Sequence, residues 1–378
     1  MRIAQVAPLY ESVPPQLYGG TERVVSYLTE ELVNRGYDVT LYASGDSETS
    51  ARLVPASPAA LWHMPDCRNP LPWHVRLVDR VARDAHRYDL IHFHLDFVHF
   101  PEISRLPCPS VTTLHSRIHA PDDAAIFATF PDVPLVSISD DQRRPIPHAN
   151  WRATVHHGLP ADLFTFRKEP GDYLAFLGRI APEKGLDTAV AIAERTGLPL
   201  RIAGKISPED RTYYDRVIDP LFRSASDVQY LGEVGGAEKD AFLGRARALL
   251  FPIDWDEPFG LVMIESLACG TPVIAFRRGS VSEVLTDGVT GYVVDGAVAA
   301  ADAIGRIDRI DRRACRAAFD RRFRAERMAR DYLAVYRDLL REPVSLAETV
   351  PQSLSRQPAL AAAALLGPVR LAAPGMSP

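Results

Sequence analysis

The chain has 378 residues, 47% hydrophobic and 24% charged, the composition of a globular protein long enough for two or three domains. Its net charge of −5 gives no electrostatic reason to bind nucleic acid, and no run approaches the roughly 18 apolar residues of a membrane span. The opening MRIAQVAPLY reads as a first strand and not as a signal peptide. Cys67, Cys108, Cys269 and Cys315 are scattered without a CxxC spacing, which speaks against a disulfide framework and for a reduced, cytoplasmic setting.

Strand-like runs at 2–7, 38–43, 89–93, 110–114, 134–138 and 153–156 are separated by segments that can hold helices. The first helix is the clearest. Thr21 serves as N-cap, Val24, Val25, Leu28, Leu32 and Val33 repeat at helical spacing, and Gly36 ends it. A loop-like segment, GLPADLFTFRKEPG at 158–171, follows, and then the pattern restarts. Strand YLAFLG leads to helix EKGLDTAVAIAERTG and strand LPLRIAG. A helix near 208–224, strand DVQYLG, helix AEKDAFLGRARA and strand LLFPI complete the series. Alternating strands and helices predict α/β architecture, here two doubly wound parallel-sheet domains of Rossmann-like form. The division falls at 1–165 and 166–319. Residues 306–340 read as one long helical region. Within it, 306–330 hold ten arginines against four acids, read as a solvated helical face, with weak peripheral contact to an anionic membrane surface as the alternative. Residues 342–378 are Ala/Pro-rich and read as a flexible tail.

In such domains ligands bind beyond the carboxyl ends of the strands. Three polar groupings fall there. In LYGGTERVV, Gly19 and Gly20 let backbone N–H groups approach an anion at a helix start. In FLGRIAPEKG, Arg179 and Lys184 suit a diphosphate beside a helix N-terminus. In DEPFGLVMIE, Glu257 and Glu265 lie at the start and middle of an apolar helix, where carboxylates are acceptors for sugar hydroxyls. No GxGxxG occurs, which counts against a nicotinamide or flavin site. Asp254-Trp255-Asp256 is a DxD tripeptide read as loop acids. His92 and His94 share a strand face, but no third metal ligand is identifiable. Only four lysines occur, Lys168, Lys184, Lys205 and Lys239, so the place of each is informative.

GRIAPEK followed by EPFGLVMIE resembles the donor-site signature of the retaining glycosyltransferases of family 4, which have the GT-B fold of two Rossmann-like domains facing across a cleft. YGGTERVVSYLTEELVNRGYDVTLYA is similar to the family's N-terminal glycine loop and first helix, and the likeness spans roughly residues 1–340. The resemblance implies transfer of a hexose, with UDP-glucose the first expectation, to an acceptor hydroxyl with retention and without a metal or other cofactor. It makes His115, Arg179, Lys184 and Glu257 the catalytic candidates. Gly19, Gly20, Arg179, Lys184, Glu257, Phe259, Gly260, Leu261 and Glu265 become the donor-binding set. It further implies that a last helix, about 320–341, with Tyr332 and Tyr336 one turn apart, packs back on the N-terminal domain. His92, His94, His99, His119, His156 and His157 receive no role. The acceptor, a saccharide, a lipid-linked glycan or a small heterocycle, is expected against 10–20, 92–100 and 115–123, with Tyr10, Tyr18, Phe93, Phe97 and Phe100 as its aromatic surface. A phosphorylase, a nucleotide-sugar epimerase or a non-catalytic nucleotide-sugar-binding protein are the alternatives on such a fold.

Overall fold

The computed structural model of the chain describes residues 1–17, 19–118, 121–225 and 227–342. Tyr18, His119 and the tail from 343 onward lie outside the described residues. Two parallel sheets carry the architecture. The first holds Arg2–Val6 (β1), Asp38–Ser44 (β2), Arg52–Ser57 (β3), Leu90–Phe93 (β4), Ser110–Thr113 (β5), Leu135–Ser137 (β6) and Trp151–Thr154 (β7), in spatial order 3-2-1-4-5-6-7. The second holds Leu174–Leu177 (β8), Leu200–Ala203 (β9), Val228–Tyr230 (β10), Ala248–Phe251 (β11), Val273–Phe276 (β12) and Gly291–Val294 (β13), in order 10-9-8-11-12-13. Strands such as ALLF and VIAF are near-continuously apolar because helices cover both faces of a parallel sheet. In each sheet the strand order reverses once, between β1 and β4 and between β8 and β11. A crevice opens at such a switch point.

The helices that matter for the site are Gly20–Asn34 (α1), Leu71–Asp84 (α2), Leu186–Thr196 (α3), Gly236–Gly244 (α4), Leu261–Ala268 (α5), Arg312–Arg322 (α6) and Ala325–Arg341 (α7). α1 begins two residues earlier than expected. Its cap is Gly19, at φ 141, and Thr21 lies inside the first turn. β3 carries Pro55 and has no counterpart among the expected strands. It sits at the sheet edge, where a missing backbone donor is tolerated. The helix expected near 208–224 is broken into short pieces, with a π turn over Tyr214–Ile218 just before Pro220, whose ring and missing N–H disrupt regular helical bonding.

The long helical region expected at 306–340 is also interrupted. Residues 306–311 hold only one 3-10 turn, at Ile307–Arg309, and Phe323 and Arg324 break the rest because the chain pairs there with the segment joining the two sheets. Leu159 N–H donates to Phe323 O at 2.9 Å and Ala325 N–H donates to Leu159 O at 2.8 Å. Gly158 allows this approach, since a Cβ on it would strike the Arg324 carbonyl. Beyond the break α7 returns to the first sheet. Its Met328, Tyr332, Leu333, Tyr336 and Leu339 share one buried cluster with Val24, Leu28 and Leu32 of α1 and Ile3 of β1.

The arginine excess of 306–330 is not simply a solvated face. Arg316 donates to the carbonyls of Phe164, Ala268 and Ala161 at 2.8–3.0 Å. Arg327 donates to His156 O and His157 O, both at 2.8 Å, and Arg322 to Val284 O and Glu283 O. These side chains fasten the returning chain to loop and helix-end carbonyls beside both sheets. No helix among the described residues is long and apolar enough to cross a membrane.

Candidate active site

A cleft of about 570 Å³ lies at the carboxyl ends of the strands, and both switch points open into it. Every site residue expected from the sequence lines it: Gly19, Gly20, His115, Arg179, Lys184, Glu257, Phe259, Gly260, Leu261 and Glu265. Gly20 and Leu261, 241 positions apart in the chain, meet there because each opens a helix at the carboxyl end of its sheet.

Glu257 departs from expectation in one respect: it is not on the helix. α5 starts at Leu261, and Gly260 caps it at φ 77, a left-handed conformation that glycine tolerates. Glu257 therefore lies in the preceding loop, with its side chain beside the cap residue Gly260. The loop is fixed from behind. Ser280 N–H donates to Glu257 O at 3.0 Å and Ser280 Oγ to Phe259 O at 3.0 Å. Gly279, at φ 50, passes so close that a Cβ would collide with the Glu257 backbone.

The carboxylate of Glu257 accepts from Lys184 Nζ at 2.6 Å and from Trp255 Nε1 at 2.9 Å. Lys184 Nζ also lies 4.4 Å from the Trp255 ring centroid, a cation–π contact. An ammonium has three donors, so Lys184 can hold Glu257 and meet a phosphate oxygen at once. Glu265 is 94% removed from solvent and paired with Lys239 Nζ at 2.5 Å. That lysine, on α4, was singled out in the sequence only by the scarcity of its type. Arg179 is held by Glu183 and by Asp210 at 2.6 Å, with Glu209 at 3.5 Å.

Opposite, Gly20 of α1 faces α5. A Cβ on Gly20 would reach 3.6 Å from Leu261 Cδ1, so the two helix N-termini approach each other across the cleft. Their unpaired N–H groups and positive dipole ends favour an anion between them. His115 stacks on His157 with ring centroids 5.3 Å apart, and His157 meets Phe259 edge-on at 4.8 Å. His94 bonds His115 at 2.8 Å. His94 and His157, given no role by sequence reading, thus form the wall behind His115. Burial pushes the His115 imidazole down to about 3, so it is neutral at physiological pH.

The expected aromatic surface is corrected. Phe93 and Phe100 are buried in the core of the first sheet, and neither they nor Phe97 line the cleft. Tyr10 does, packed on Trp62 with ring centroids 5.3 Å apart, and Trp62 is 54% exposed. A single tryptophan before a short turn offered no sequence signal. Asp254 and Asp256 face different arginines, Arg278 at 3.3 Å and Arg117 at 3.4 Å. Among the described residues no group of three His, Cys, Asp or Glu side chains is placed to hold a metal ion.

Glu22, in the first turn of α1, also lines the cleft and is 5% exposed. Burial, with repulsion from Glu11 added, raises its carboxyl from the ordinary 4.5 to about 7. The folded state thus binds this proton more tightly than the unfolded one. Its contribution to stability is complete below about pH 4.5 and is lost as pH rises to about 7, up to about 3 kcal/mol. Glu22→Gln is expected to remove that part of the pH dependence in urea titrations between pH 4.5 and 8. An unchanged slope would contradict it.

A family model described as Glycosyltransferase Family 4 matches residues 18–167, and one described as Glycosyl transferases group 1 matches residues 164–316. A D-inositol 3-phosphate glycosyltransferase of Mycolicibacterium smegmatis is 26% identical, covering 74% of this chain and 75% of its own. A glycogen synthase of Mycobacterium tuberculosis is 25% identical over 77% of this chain and 81% of its own. Among solved structures, sucrose-phosphate synthase from Thermosynechococcus elongatus matches with a TM-score of 0.75 at 21% identity, covering 90% of this chain and 99% of that one. The Anabaena protein Alr3699/HepE in complex with UDP and glucose matches with a TM-score of 0.71 at 16% identity, covering 89% and 100%. These two likenesses speak for the fold.

Proposed function

The chain belongs to family 4 of the glycosyltransferases, with the GT-B fold, and on that premise we propose that it moves a hexose from a nucleotide sugar to an acceptor hydroxyl with retention of configuration. The observation that carries this reading is the convergence of Arg179, Lys184, Glu257 and Glu265 in one cleft between two sheets. Two cations and two carboxylates match a ligand with a charged middle and hydroxyl-bearing ends. The diphosphate lies against Arg179, Lys184 and the N-termini of α1 and α5. The ribose hydroxyls donate to Glu265, and those of the transferred sugar donate to Glu257.

As the bond to the anomeric carbon breaks, negative charge grows on the leaving diphosphate. Fixed cations and helix N-termini placed there before reaction stabilise the transition state without reorganising. Glu257, held by Lys184, couples sugar position to diphosphate position through one ammonium. The departing phosphate takes the proton of the acceptor hydroxyl on the same face. Closure of the cleft excludes water that would otherwise hydrolyse the donor. UDP-glucose is the first candidate donor, supported by the fold likeness to a protein seen with UDP and glucose. The acceptor enters along the first sheet, where Tyr10 and Trp62 offer an aromatic face. A saccharide or cyclitol suits that face, and the relative of Mycolicibacterium smegmatis is named for an inositol phosphate. We place the domain boundary at 165/166 and the protein in the cytoplasm, in keeping with four free cysteines.

The test is a thermal-shift panel of UDP, GDP, ADP and their glucose and mannose conjugates, without added metal. A ligand at about 100 times its dissociation constant adds roughly 2.7 kcal/mol, expected here as a rise of about 5–10 °C for one nucleotide. Absence of a shift with every nucleotide would reject the donor assignment and turn the search to phosphate and sugar phosphates, the substrates of a phosphorylase.

A further inference from the structure

Behind His115 runs a chain of buried side chains that reaches the returning helix. His115 Nε2 lies 2.8 Å from His94 Nδ1, and His94 Nε2 lies 2.8 Å from Gln5 Oε1. Gln5 Nε2 donates to the Tyr336 hydroxyl at 3.0 Å, and that hydroxyl lies 2.7 Å from His92 Nδ1. His92 Nε2 continues to Thr113 Oγ1 at 2.7 Å, which meets the Tyr332 hydroxyl at 3.0 Å. Gln5, His92, Thr113, Tyr332 and Tyr336 are fully buried and His94 nearly so. The chain thus links β1, β4, β5 and α7.

A neutral imidazole has one donor nitrogen and one acceptor. Burial drives His92 and His94 well below their usual range, as it does His115, so all three rings are neutral. The sense of every bond then follows from one group. The Gln5 amide oxygen only accepts, so His94 carries its proton on Nε2 and presents a lone pair at Nδ1 to His115. His115 must therefore carry its proton on Nε2. On the other side the Gln5 amide nitrogen only donates, so Tyr336 accepts from it, and the phenol hydrogen is left with His92 Nδ1, 2.7 Å away, as its acceptor among the described residues. The result is a single-sense chain from His115 to Thr113, in which each bond polarises the next. Nδ1 of His115 is left as a buried atom with no hydrogen-bond partner among the described residues, on a ring that lines the cleft.

We propose that Gln5 and His94 are positioning residues that hold His115 in the tautomer protonated on Nε2, and that Tyr336 of the returning helix α7 orients Gln5 and so sets that tautomer. The ring of His115 is thereby held in one orientation at the cleft wall, and α7, which does not line the cleft, takes part in the site through this chain. Only the kinetic arm of the test rests on the glycosyltransferase reading.

The experiment is long-range ¹H–¹⁵N correlation on the full chain labelled at histidine ring nitrogens, with His115 assigned by difference against His115→Asn. The wild type is expected to show His115 protonated on Nε2 and bare on Nδ1 near neutral pH. Gln5→Met removes both arms of the amide, and Tyr336→Phe removes the hydroxyl that orients it. Each should give a mixture of His115 tautomers and lower kcat by roughly ten- to a hundredfold, the scale of one buried hydrogen bond, while the donor KM stays in place. Tyr332→Phe, beyond Thr113, should leave the His115 tautomer as in wild type. If Gln5→Met does not fold, the milder Tyr336→Phe and the wild-type spectrum still decide. A wild-type His115 protonated on Nδ1, or a tautomer that neither substitution moves, overturns the proposal. Failure of the glycosyltransferase reading shows separately, as a wild type that no nucleotide stabilises.

Discussion

Arg179→Ala is expected to lower turnover by roughly 10²–10³, about 2.7–4 kcal/mol of transition-state stabilisation, and to sit at the severe end of that range. The reason lies in its neighbours. The guanidinium neutralises Glu183, Asp210 and Glu209 at the mouth of the proposed diphosphate site. Its removal deletes a donor and also leaves carboxylates facing the place where the leaving group gains charge. Burial already raises the Asp210 carboxyl in spite of Arg179, which marks how poorly solvated that group is. Adding Asp210→Asn to Arg179→Ala should therefore recover roughly tenfold, which a simple loss of fold would not allow. Single-turnover rates with a saturating donor separate chemistry from binding. A purified Arg179→Ala that transfers sugar at the wild-type rate would remove Arg179 from the site.

Arg312→Met is expected to cost the most stability, about 3–5 kcal/mol. Arg312 is 6% exposed and its guanidinium donates to Arg167 O at 2.8 Å, Ala246 O at 3.0 Å, Gly244 O at 2.8 Å and Thr271 Oγ1 at 2.6 Å. Methionine keeps the aliphatic stem but strands these acceptors in the interior, where each missing partner exacts the full desolvation cost. Burial lowers the Arg312 pKa, yet a guanidinium remains charged across the accessible range. The thermal midpoint should fall by roughly 10 °C. Because Arg312 does not line the cleft, the folded variant at low temperature should retain wild-type kcat. A fall of under about 2 °C would show that the clamp is energetically idle.

Much of the candidate site was legible without coordinates, since its residues belong to local patterns. Arg179 and Lys184 follow the end of β8, Glu257 and Glu265 follow the end of β11, and all four line the cleft. The alternation of strands and helices was readable for the same reason: hydrophobic period and turn residues act over a few positions. Errors arose where a local rule met a distant partner. The helix of 306–340 breaks because Leu159 pairs with Arg324, and arginines on both sides of the break turn inward to carbonyls far away in the chain.

The sequence by itself determined the two-sheet α/β pattern, the family and the polar residues at the strand ends. The tertiary structure alone decided which of those residues answer one another. Lys184 meets Glu257 across 73 residues, and Gln5 meets Tyr336 across 331. A lysine, a glutamine or a tyrosine has the same local signature whether it faces water or completes a buried chain. The distinction comes from burial, because a polar group removed from water must find its partner wherever the fold has brought one.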